Sequence, residues 1–152
     1  AGPDHAQIAS VAGIVDYIET IDKYHFNDKK NKDTFLKAER VGKLQREAEN
    51  NMLKPFLDFL KNKKSIKILG SSEVSLEKKV PTISIDVKGE GENIVKKLSQ
   101  KGLMAGFGDF YSVRLLDALG IELPAGILRL SFVHYTSVEE VSSLINALDD
   151  IL

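Results

Sequence analysis

Apolar residues at Ile8, Val11, Val15, Ile18 and Ile21 recur at steps of three and four, which predicts a helix over His5 to Ile21 with one buried stripe and Asp4 as its N-cap. The polar stretch KYHFNDKKNKD then breaks the period and reads as a linker. Phe35, Val41, Leu44, Ala48, Met52, Phe56, Phe59 and Leu60 restore it, with Lys, Arg and Glu between, so a long amphipathic helix begins near Asp33 or Thr34. Pro55 should kink or split that helix, because proline removes a helical hydrogen bond and crowds the preceding turn.

Beyond Lys64 the period falls to two. SIKILG (65–70) and TISIDVKG (82–89) alternate apolar and polar residues, with Ile83, Ile85 and Val87 on one buried face. ENIVKKLSQKG predicts a short helix stopped by Gly102, and LMAGF (103–107) a strand. DFYSVRLLDALG predicts a second short helix with Asp109 as N-cap, Val113, Leu116 and Leu119 as its stripe and Gly120 as its stop. GILRLSFV (126–133) is a strand, and Ser137 with Glu140 forms a capping box for a last helix through Val138, Val141, Leu144, Ile145, Leu148 and Ile151. This order predicts an α+β fold: a small antiparallel or mixed sheet of three or four strands, covered by helices mainly on one side and preceded by a long helix.

Composition narrows the function classes. The 152 residues, 43% of them hydrophobic, suffice for one domain with a real core. A net charge of -1 gives no basic field for nucleic acid or anionic lipid, and no apolar run approaches the length of a membrane span, so we expect a soluble, cytoplasmic protein with neither as partner. The absence of cysteine excludes disulfides, thiolate metal sites and a cysteine nucleophile within these residues. His5, His25 and His134 lack metal-ligand spacing, so no metal site is expected. The glycines of KGEGEN and AGFGD read as turns, and the lysine clusters Lys29 to Lys32 and Lys61 to Lys64 as solvated helix ends and loops. The chain begins with Ala1 and is expected to be part of a longer protein.

Arg129 stands out, lying between Leu128 and Leu130 in a strand. Alternation puts Leu128, Leu130 and Phe132 on the core face, and Ile127, Arg129 and Ser131 on the other. The residue types leave two readings open: an exposed or ion-paired arginine on an open sheet face, or a bidentate anchor for a carboxylate ligand.

RLSFVHYTSVEEVSSLINAL resembles the C-terminal signature of class V aminotransferases and cysteine desulfurase-like enzymes, in which an Arg and a Ser lead through a Tyr and small hydroxyl residues into a Glu-Glu helix. GLMAGFGDFYSVRLLDALGI resembles the segment where a glycine and two aromatics open a short helix, and GPDHAQIASVAGIVDYIE the Gly-Thr-Pro-Asn-His segment ending the family's large domain. The resemblance implies the C-terminal portion of a fold type I enzyme dependent on pyridoxal 5'-phosphate (PLP), a homodimer acting on an amino-acid substrate. Residues 1–30 would be a helical remnant of the large PLP-binding domain and a linker, and 31–152 the C-terminal small domain.

By position, Arg129 matches the arginine that clamps the substrate α-carboxylate. Gly2 falls where the family often has a threonine reaching the cofactor phosphate of the neighbouring subunit, with His5 beside it. The Schiff-base lysine, the aspartate on the pyridine nitrogen and the group stacked on the ring all belong upstream, so no catalytic residue is expected here and the chain alone should be inactive. True cysteine desulfurases carry a mobile cysteine before the short helix. This chain has none, so persulfide chemistry by that route is excluded and a lyase, an aminotransferase or a desulfurase-like parent remains. The competing expectation is a stand-alone α+β protein-interaction or regulatory module in which Arg129 meets a protein partner.

Overall fold

A computed structural model describes residues 2, 4–28, 33–75, 79–123 and 126–152; the lysine cluster from Lys29 to Lys32 lies outside them. The elements run in the order α1 (His5–His25), α2 (Thr34–Lys61), β1 (Lys67–Leu69), β2 (Thr82–Asp86), α3 (Gly91–Gln100), β3 (Gly106–Gly108), α4 (Val113–Ala118), β4 (Ile127–Ser131) and α5 (Val138–Asp149). The chain divides into two compact units, Ala1–Glu47 and Ala48–Leu152, the division falling within α2.

In the first unit the Asp4 carboxylate caps α1, accepting from the Ala6 and Gln7 N–H groups at 2.9 and 3.3 Å. The helix runs one turn past the expected stop at Ile21 and takes in Lys23 and His25, cations that suit the negative end of a helix dipole. The apolar stripe is open, with Ile8, Val11 and Val15 exposed, Ile14 beside them exposed as well, and Ile18 and Ile21 half-buried, so the predicted burial of the stripe does not occur in this chain. Asp22 is buried and accepts from both Nε and Nη2 of Arg40, the latter at 2.7 Å. Arg40 also pairs with Asp28 at 3.5 Å and lies 4.7 Å from the centre of the Phe26 ring, while Lys37 pairs with Glu19 at 3.0 Å. The hydrogen bonds from Arg40 hold the Asp22 carboxyl below the usual aspartate range and raise the arginine's own pKa in return.

The second unit is a sheet in the order β1-β2-β4-β3, antiparallel throughout. Its core face presents Ile83, Ile85, Val87, Leu128, Leu130 and Phe132 to one layer of helices, which contributes Leu53, Phe56, Leu57 and Leu60 from α2, Ile94 and Leu98 from α3, and Val141, Leu144 and Leu148 from α5. Phe56 meets Phe132 edge to face at 5.2 Å. This is the α+β architecture the period change predicts.

Of the kink or split expected at Pro55, the split does not occur, since α2 runs through it as one helix. Pro55 and Asn51, whose carbonyl loses its helical donor, are both exposed, so water can satisfy that carbonyl while Leu53, Phe56 and Leu57 bury completely on the opposite side. The cluster from Lys61 to Lys64 is solvated as expected except at Lys63, which is half-buried. Lys63 pairs with Asp149 at 2.7 Å and lies 5.1 Å from the centre of the Phe59 ring.

The short helices stop as their glycines require. At Gly102 (φ 75°) the Leu103 N–H reaches back to the Leu98 carbonyl, and at Gly120 (φ 71°) the Ile121 N–H reaches the Leu116 carbonyl, both at the six-to-one spacing of a Schellman motif. The capping box of α5 is present in both directions, with Glu140 N–H to Ser137 Oγ at 3.1 Å and Ser137 N–H to Glu140 Oε2 at 2.7 Å.

Candidate carboxylate site on the open sheet face

The open face of the sheet follows from its register. Arg129 stands opposite Ser84 on β2 and Gly106 on β3, and Ser131 stands opposite Thr82 with their hydroxyls 3.2 Å apart. Directly paired residues point the same way, so Arg129 rises from the face remote from the helical layer, between a small hydroxyl residue and a position with no side chain. Ile127, on the same face, is nevertheless buried, so that face is open around Arg129 and covered at the β4 start.

The Arg129 guanidinium lies on the ring of Phe110, with Cζ 3.7 Å from the ring centre. That is a van der Waals separation between carbons, so the cation sits directly over the ring face. Phe110 is brought there by a turn. Asp109 was expected to cap a helix but instead closes this turn, its Oδ1 accepting from the Tyr111 N–H and its carbonyl from the Ser112 N–H, both at 2.8 Å. α4 accordingly starts only at Val113, and of its expected stripe only Leu116 is buried.

Within the turn Phe110 (φ 48°) and Tyr111 (φ 61°) both hold left-handed backbone, a conformation costing a non-glycine residue about 1–2 kcal/mol. Two consecutive aromatics in that region are uncommon, and such strain persists only where surrounding structure holds it. The result sends Phe110 inward over the sheet and leaves Tyr111 fully exposed. Gly106 makes room, since a Cβ there would stand 3.2 Å from the Phe110 Cζ.

No acidic side chain pairs with Arg129 among the described residues. Of the two readings open for it, the first is met in its exposed form and not in its ion-paired form: the residue is exposed and stacked on one aromatic, with no acidic partner among the described residues, and the same geometry also suits the second, a carboxylate anchor. Its edge N–H groups form a planar fork that fits a planar oxyanion. Gly2 and His5 belong to the first unit, Gly2 with open space around it and His5 exposed as the first residue of α1. Among the described residues no His, Asp or Glu cluster could hold a metal ion, and no helix is long and apolar enough to cross a membrane.

Sequence reasoning found Arg129 and missed Phe110. The pattern Asp-aromatic-aromatic-Ser suits a helix N-cap as well as an Asp-closed turn. The signal that separates them is GFG just before it, where small residues on the edge strand leave space for a ring.

No family model matches the sequence. The chain is 32% identical over 108 residues to the aminotransferase-like protein FGM3 of Gibberella zeae, a match covering 70% of this chain and 27% of that protein. It is 33% identical over 101 residues to the nonribosomal peptide synthetase-like enzyme fsqF of Aspergillus fumigatus, covering 64% of this chain and 7% of that one. Among solved structures, the cysteine desulfurase of Thermococcus onnurineus superposes with a TM-score of 0.63 at 22% identity, over 78% of this chain and 28% of that one. The cysteine desulfurase CsdA of Escherichia coli does so with a TM-score of 0.56 at 21% identity, over 69% and 24%. The chain thus spans only about a quarter of these proteins and 7% of the synthetase-like one. Among the described residues, its α+β arrangement of helices and a four-stranded antiparallel sheet matches the fold of the small, C-terminal portion of the class V aminotransferase and cysteine desulfurase-like proteins.

Proposed function

We propose that this chain is the C-terminal part of a PLP-dependent enzyme acting on an amino acid, and that Arg129 receives the substrate's α-carboxylate. The observation that carries this reading is the stacked guanidinium without an acidic partner among the described residues. A charge-assisted fork to a carboxylate contributes about 1.5–3 kcal/mol in a partly closed site. It also fixes one end of the substrate, so the bonds at its α-carbon keep one orientation toward the reacting group.

The division of labour follows from what the chain holds. Asp4 already occupies the Ala6 and Gln7 N–H groups at the start of α1, so an incoming cofactor phosphate would be left to His5 and the Gly2 N–H. Those two residues would meet the phosphate of a neighbouring subunit in a homodimer. PLP, when bound, supplies an electron sink for the substrate's α-carbon. The groups that hold its ring belong to the large domain, so this chain's part is binding and orientation, and by itself it is inactive. With no cysteine to accept sulfur, transfer or elimination chemistry on the amino acid fits better than desulfuration by a thiolate.

The test is Arg129→Lys in the longer protein carrying this chain, loaded with PLP and titrated with a panel of L-amino acids. A lysine keeps the charge but loses the planar fork. Substrate affinity should fall about tenfold, the free-energy equivalent of one charge-assisted bond, with the visible absorbance of the loaded cofactor unchanged. Equal affinity in the two proteins would remove the clamp assignment.

A further inference from the structure

We infer that Phe110 is a positioning residue for Arg129, holding the guanidinium flat so that only its edge is offered and the site selects a planar carboxylate. The inference rests on the carboxylate reading above and adds a residue to it. An arginine on a strand normally samples many rotamers, and ordering it on binding weakens the complex. Here three features remove that freedom beforehand. The ring lies at contact distance beneath the guanidinium. Gly106, paired with Arg129 across the strands, leaves the gap the ring fills. The turn closed by Asp109 fixes the backbone that carries the ring, with left-handed backbone at Phe110 and Tyr111.

Strain placed beside an unpaired cation needs a return, and a pre-set ligand-binding edge supplies one. With one face covered by the ring, in-plane N–H groups remain for an oxyanion, and a planar two-oxygen acceptor satisfies a pair of them at once. The chain contains its own contrast: Arg40 also lies against a phenylalanine, but Asp22 already fills its fork.

The experiment uses this chain, with the Arg129 Nε–Hε resonance followed by NMR during titration with propionate, against propionamide at equal ionic strength. In the wild type propionate should shift the resonance saturably and propionamide should not, and the Arg129 side-chain protons should show the ring-current shift of a stacked arginine. Phe110→Leu should abolish that ring-current shift and weaken propionate about three- to tenfold, the cost of ordering one long side chain on binding. Phe110→Tyr should restore both. Gly106→Ala, which crowds the ring without removing it, should act in the same direction, and α5 amide shifts identify variants that remain folded. Equal propionate affinity in wild type and Phe110→Leu, or a wild-type arginine without the ring-current shift, would overturn the positioning role while leaving the clamp. No propionate response in the wild type would overturn the clamp itself, and the positioning role with it.

Discussion

The tightest steric condition at any glycine among the described residues is the approach of Gly126, just before β4, to Gly108 on β3, and replacing Gly126 by alanine tests it. Gly126 has φ 60°, a region that costs alanine about 1–2 kcal/mol. Its new Cβ would stand 2.4 Å from both the carbonyl carbon and the oxygen of Gly108, and 2.7 Å from its Cα. These are backbone atoms, so relief requires β3 to move away from β4, which adds the roughly 1–3 kcal/mol typical of overpacking. The two contributions together come to about 2–5 kcal/mol. Gly102→Ala is the natural reference. At φ 75° it carries the same backbone cost, yet no heavy atom lies within 4 Å of its Cβ. Urea unfolding followed by circular dichroism should place Gly126→Ala about 1–3 kcal/mol below Gly102→Ala. A difference under about 0.5 kcal/mol, the usual scatter of neutral surface changes, would mean that the strands do not meet as described.

Two further perturbations probe other parts of the chain. Ser137→Ala removes one half of the capping box on α5 and should cost about 1 kcal/mol, read as a lower thermal midpoint. Asp22→Asn should destabilise the first unit at neutral pH. Because the folded Asp22 pKa is depressed, its contribution is present above the unfolded-state value and is lost as pH falls through the folded one, so stability measured in acid should decline less in the variant than in the wild type. Equal acid sensitivity in the two proteins would show that the Asp22–Arg40 pair is not linked to folding.

Local signals were the legible ones. Asp4, Ser137 with Glu140, Gly102 and Gly120 mark helix ends through backbone groups a few residues away, and each does so in the structure. Ile83, Ile85 and Val87 showed their face through period alone, because burial on one side imposes alternation. What could not be read depended on distant partners. Pro55 survives in α2 because residues on the sheet and α5 cover the opposite side of that helix. Asp109 closes a turn instead of capping a helix because Gly106, on another element, leaves a gap for Phe110 to fill. β3 likewise forms at 106–108, later than the apolar run suggested, where its glycines can lie against β4.

The two aromatic-backed arginines show why Arg129 and not Arg40 is the candidate site. Each guanidinium lies over a phenylalanine, which buries one face and holds the group in place. At Arg40 the chain supplies the carboxylate as well: Asp22 is buried, its pKa is lowered by the arginine's hydrogen bonds, and the pair is a completed internal structure. At Arg129 the same preparation is made at greater local cost, with two aromatics held in left-handed backbone, and no acid follows among the described residues. Since a stacked guanidinium gains most from a carboxylate in its plane, and none pairs with Arg129 among the described residues, a carboxylate is the partner proposed for it. The resemblance proposes that ligand as an amino acid, and the fork itself requires only its carboxylate end.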